Sequence, residues 1–91
     1  MIVAELDEVQ YDLEIDGHCI RKQLARRVWE ARGWATVACT FSERADDGTW
    51  KPAKLALLRF RRAHDAWKRH AQLVVDADTA RELGAWLTSS L

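Results

Sequence analysis

Arg59, Arg61, Lys68 and His70, set among Phe60 and Trp67 in the stretch LLRFRRAHDAWKRH (57–70), are the residues whose types and spacing point most directly to chemistry. Guanidinium and ammonium groups neutralise phosphates and release their counterions. An indole offers an unpaired base a stacking surface worth about 1–3 kcal/mol. Arg21, Arg27, Trp29 and Trp34 repeat the same mixture upstream, and Lys51 and Lys54 flank the single proline. Covalent chemistry has no comparable signature. No nucleophile stands beside a base, no phosphate loop is present, and the two cysteines and three histidines keep no metal-ligand spacing. His64-Asp65 reads as a solvated turn rather than a dyad. No catalytic residue, metal or cofactor is therefore expected.

These residues need elements to position them. Ninety-one residues make one domain, with a core small enough that a second copy would help to cover it. The net charge is zero but strongly segregated: residues 1–16 carry six acids and no cation, whereas residues 51–70 carry seven Lys and Arg against Asp65 alone. The local field therefore says more about partners than the total. No run reaches the length of a membrane span and the start lacks a signal-peptide pattern, so a cytoplasmic protein with reduced cysteines is expected.

Asp16-Gly17 and Asp46-Asp47-Gly48 are turn signals. WATVACTF (34–41) alternates as a strand, KLALLRFRR (54–62) and WKRHAQLVV (67–75) read as two more, and Ala80, Leu83 and Leu87 make a helical stripe over 78–89 with a capping box on Thr79 and Glu82. Residues 18–32 suit either element. Ile20, Leu24 and Val28 have helical spacing and also share strand parity; local propensity gives helix a slight edge, and the hairpin signal before them argues for a strand. The expected fold is α+β: a curved antiparallel sheet of four to five strands over 18–75, preceded by the acidic segment 1–16, with the C-terminal helix packed on one face.

Sorted by parity, Ile20, Leu24, Val28, Val37, Cys39, Phe41, Leu58, Phe60, Leu73 and Val75 form a core for the helix to cover, with Trp67 in the core or an interface. The opposite face gathers Arg21, Arg27, Trp29, Trp34, Thr36, Thr40, Arg59, Arg61, Lys68, His70 and Gln72. It is basic, holds two indoles and lacks acids.

The segment WEARGWATVACTFSERADDGTWKPAK resembles the central hairpin of the positive-cofactor-4-type transcriptional coactivators and their small bacterial single-stranded-DNA-binding relatives. Trp29 with Gly33, strand 34–41, the acidic turn 46–48, Lys51-Pro52, Lys54 and the final helix carry it, and CIRKQLARRVW is similar to the first core strand of the bacterial relatives. The resemblance implies strand for 18–32, a homodimer supported by the helix, and single-stranded DNA across the sheet. It also implies Trp29 or Trp34 as a stacking ring and Lys51 and Lys54 as phosphate contacts. The chain departs from the pattern in an extra basic strand-like run before the helix and in a spacing after Lys-Pro one residue shorter.

The sequence thus points to a single-stranded nucleic-acid-binding protein, DNA or RNA, serving transcription or DNA maintenance. Its expected contacts are Arg21, Arg27, Trp29, Trp34, Lys51, Lys54, Arg59, Arg61, Lys68 and His70. The alternative is an interaction module whose basic face docks an acidic partner, the chain's own residues 1–16 among the candidates.

Overall fold

Tight turns set the architecture. Asp16 and Gly17 have φ of 51° and 80°, and Arg32 and Gly33 of 55° and 78°. Two successive left-handed residues give the backbone twist that joins antiparallel strands through a two-residue loop. In the computed structural model, which describes residues 2–91, these turns join β2 (Leu13–Ile15) to β3 (His18–Ala31) and β3 to β4 (Trp34–Glu43). A longer loop leads to β5 (Lys54–Ala63), and His64-Asp65 turns the chain into β6 (Ala66–Asp76). With β1 (Ile2–Val3) the sheet has six strands, not four to five, in the order β1-β6-β5-β4-β3-β2, curled into a half-barrel. Residues 18–32 are strand almost throughout. Pairing of β3 with β4 from Arg21↔Glu43 to Ala31↔Trp34 outweighs a helix propensity of a few tenths of a kcal/mol per residue.

Two irregularities reassign the faces. The register shifts between Gln23 and Ala25 and again opposite the Arg59–Phe60 step, which leaves Leu24 and His70 as extra residues. A bulge reverses the parity of everything beyond it. The inner face therefore carries Val28, Val37, Leu58 and Gln72 in one cross-strand row and Arg26, Cys39, Ala56 and Val74 in the next. Ala35, Val37, Cys39, Phe41, Ala56, Leu58, Phe60 and Trp67 are buried there. Four expected core residues are elsewhere: Ile20, Leu24, Leu73 and Val75 are not buried, and Leu24 and Leu73 are more than half exposed.

What covers the core is the acidic N-terminal segment, not the helix. Residues 2–15 cross the inner face as a strap, from β1 on the free edge of β6 to β2 on the free edge of β3. A 3-10 turn, Leu6–Glu8, lies between them. Leu6, Val9 and Tyr11 point inward and are buried, Val9 completely. The strap is fixed through its backbone. Arg21 Nε donates to the Tyr11 carbonyl at 2.8 Å and Arg26 donates to the Leu6 carbonyl. The backbone N–H of Tyr11 donates to Gln23 Oε1 at 3.2 Å, and that of Gln23 to Asp12 Oδ1 at 2.8 Å.

The helix α1 (Ala77–Ser90) begins where β6 ends, capped by Asp76, whose Oδ1 accepts from the Thr79 N–H at 2.7 Å. The cap is thus Asp76, and Thr79 is the third helical residue rather than the start of a capping box. The helix packs mainly against β5 and β6 and buries none of its residues, so it does not cover the core as expected. The body is 44 × 39 × 17 Å, thin enough for the sheet and strap alone.

Candidate nucleic-acid interface

The outer face is ordered by register into four cross-strand rows. From the end nearest the Gly33 and His64 turns they are Ala31–Trp34–Arg61–Lys68, Trp29–Thr36–Arg59–Ala71, Arg27–Ala38–Leu57–Leu73 and Ala25–Thr40–Leu55–Val75. Alternation on β4 and β5 sends Val37, Phe41, Leu58 and Phe60 inward and these residues outward, so the pleat alone separates Phe60 from Arg59 and Arg61. The first two rows are cationic and aromatic. The last two are mostly apolar.

Trp34 is the centre of the polar half. The guanidinium carbons of Arg59 and Arg61 each lie 4.8 Å from its ring centroid. The His70 ring meets it edge-on, with centroids 5.2 Å apart at 88°. Arg59 also donates to the Thr36 hydroxyl at 2.7 Å. Arg27 lies 5.4 Å from the ring of Trp29, which is 52 % exposed. The ion pairs of the described residues are Lys54–Glu43 and Arg81–Asp78. Arg27, Arg59, Arg61 and Lys68 therefore have no carboxylate partner among the described residues, and the first three rows hold no acid. Such a surface neutralises an anion without first breaking ion pairs of its own.

Seven of the ten expected contacts, Arg27, Trp29, Trp34, Arg59, Arg61, Lys68 and His70, are brought together here. Three are not. Arg21 is on the inner face, its guanidinium 4.0 Å from the centroid of Tyr11, where it clamps the strap. The Leu24 bulge puts it there. Lys54 shares an inner row with Phe41 and Asp76 at the far end of the sheet and pairs with Glu43 at 3.0 Å. That hydrogen bond from Lys54 is the main reason the Glu43 carboxyl sits below its usual pKa. Lys51 is exposed in the loop before β5, and its N–H donates to the Glu43 carbonyl. Gln72, assigned to the basic face, instead reaches inward to Tyr11. Thr36 is the contact-bearing residue left out of the expected set. Its alternation with Trp34 was the available signal, and only the register shows that it faces Arg59.

The acidic segment does not lie on this surface. The strap, residues 2–15, seats its side chains on the opposite side of the sheet and so does not occupy the basic face in this conformation, and residue 1 lies outside the described range. Among the described residues no group of three or more His, Cys, Asp or Glu converges as metal ligands would, and no helix is long and apolar enough to cross a membrane. No family model, no curated protein and no solved structure matches the chain.

Proposed function

We propose that the outer face binds single-stranded nucleic acid, DNA in the first instance, across the rows that carry Trp29, Trp34, Arg27, Arg59, Arg61 and Lys68. The observation that carries this is the juxtaposition of two indoles with four cations that have no carboxylate partner among the described residues. Duplex would offer these cations its phosphates but hide its base faces from the rings, whereas a single strand offers both. The coactivator-type resemblance supports the same assignment. Strands β3 to β6 followed by α1 give a sheet-then-helix order compatible with it, and an accessory role in transcription or DNA maintenance follows from it.

A homodimer completes the proposal. Leu57, Leu73, Leu55 and Val75 make an apolar strip beside the cationic rows, with Leu73 54 % exposed. On α1, Leu83 and Leu87 form a stripe continued by Trp86, itself 62 % exposed. Two unpartnered apolar surfaces on one small chain match the need for a second copy.

The test is an anisotropy titration with labelled single-stranded and duplex oligonucleotides at two salt concentrations. Preference for the single strand, weakened by salt, is the expected result. Equal or absent binding to both would instead favour a module whose basic face docks an acidic protein.

A further inference from the structure

Resting on the nucleic-acid proposal above, we infer that the two indoles of the face have different jobs: Trp29 is the single base-stacking seat, and Trp34 is a positioning residue that aims Arg59 and Arg61 at phosphates. By type and face the two rings are equivalent, but their surroundings are not.

Trp34 is already in use. Two guanidinium groups stand 4.8 Å from its centroid and His70 closes on it edge-on, and the ring is partly buried by its neighbours. A base entering there would have to displace a guanidinium from the ring and, for Arg59, strain the 2.7 Å bond to Thr36. Cation–π contact instead restrains two long side chains that would otherwise lose rotamer freedom on binding. Arg59 and Arg61 stand in adjacent rows on β5, and with both tied to one ring they form a fixed pair of charges.

Trp29 is half open and has one cation, Arg27, at 5.4 Å. It stands on β3, on the free edge of the sheet beyond the short β2 pairing, which ends at Arg21. A base can approach it from that edge, and the cross-strand row leads directly from Trp29 through Thr36 to Arg59. A strand lying along the row has one base on the indole and its flanking phosphates over Arg27 on one side and the Arg59–Arg61 pair on the other.

The experiment compares oligo-dT with a base-free phosphodiester oligomer of equal length, at two salt concentrations, for wild type, Trp29→Leu, Trp34→Leu and Trp34→Phe. Wild type should bind oligo-dT about tenfold more tightly than the base-free oligomer, the effect of one stacked base. Trp29→Leu should abolish that ratio and leave the salt dependence intact. Trp34→Leu should preserve the ratio, weaken binding to both oligomers several-fold and flatten the salt dependence, with partial rescue by Trp34→Phe. In the NMR spectrum of the free protein, Trp34→Leu should also remove the ring-current shifts of the Arg59 and Arg61 side-chain protons. Loss of the ratio in Trp34→Leu with an unchanged salt slope would overturn the division of labour while leaving the binding proposal standing. Wild type binding neither oligomer would overturn both.

Discussion

Gln72 Nε2 donates to the Tyr11 hydroxyl at 3.0 Å, joining residues 61 positions apart across the inner face. On the other side of the same ring system, Phe41 lies 4.6 Å away and the Arg21 guanidinium 4.0 Å away. Tyr11 is thus held by β3, β4 and β6 at once and is the pin of the strap. Tyr11→Phe removes one neutral hydrogen bond and should cost about 1 kcal/mol. Tyr11→Ala also opens a cavity and should cost about 3–5 kcal/mol. Urea denaturation followed by Trp fluorescence measures both.

Arg21 and Arg59 are both arginines on exposed strands, but they should fail in different assays. Arg21→Gln takes a guanidinium from the Tyr11 ring and carbonyl, so it should lower the unfolding midpoint while leaving oligo-dT affinity within about twofold, given its distance from the outer face. The pair Arg59→Gln and Arg61→Gln should do the reverse. With two phosphate contacts gone, the slope of log affinity against log salt should shrink by about 1.4. Comparing the two variants by denaturation and anisotropy tests the face assignment directly.

The apolar stripe on α1 gives the proposed homodimer its own test. Leu83→Ser with Trp86→Ser should convert a dimer to a monomer by light scattering, without loss of the sheet signal in circular dichroism. A wild type that is monomeric at high micromolar concentration would refute the dimer.

Gly33 and Gly84 should respond in opposite directions to alanine. An added Cβ meets nothing within 4 Å at either position, so the backbone decides. Gly33 has φ of 78°, a conformation that costs an L-residue about 1–2 kcal/mol, and Gly33→Ala should destabilise by that amount. Gly84 is in the middle of α1, where Ala is about 1 kcal/mol better, and Gly84→Ala should raise helicity and the melting temperature.

Two groups give the stability a pH dependence. Burial pushes the Cys39 thiol above 9.0, with Arg26 opposing. Its folded-state pKa is therefore raised, and the stability it contributes is complete below the ordinary value and lost as pH rises toward the folded one. The Glu43 carboxyl is held below 4.5, first by its hydrogen bond from Lys54, so its contribution is present above 4.5 and lost as pH falls through the folded value. That pair is about 40 % exposed and is worth under about 1 kcal/mol. Denaturation midpoints should decline outside the window between these values. In the native state an alkylating reagent should label Cys19, which is only partly buried, well before Cys39.

Where a strand was buried on one side, the sequence was a sufficient guide. WATVACTF placed Val37, Cys39 and Phe41 inward and Trp34, Thr36 and Thr40 outward, as they stand, and the helix 78–89 needs only an extra residue at each end. The strands with both faces mixed were different. β3 and β6 each carry cations and apolar residues on both sides, so composition offered nothing to betray the bulges at Leu24 and His70. Every assignment beyond a bulge was then reversed, Arg21 and Gln72 into the interior and Leu73 and Val75 out of it. The strap was hidden differently. Its five acids drew attention to charge, and the three side chains that complete the core, Leu6, Val9 and Tyr11, follow neither a helical nor a strand period. Seven of the expected contacts share the outer face because β4 and β5, the two regular strands, carry its centre.

The strap has a consequence for the order of assembly. Residues 2–11 are synthesised before their seats, which include Trp67, Lys68 and Gln72. The β3–β4 and β5–β6 hairpins are local and form early, whereas closing the strap links positions more than sixty residues apart and carries the loop-closure entropy of the whole sheet. Until β6 is complete, the strap lacks part of its seat over Phe41, Leu58 and Phe60.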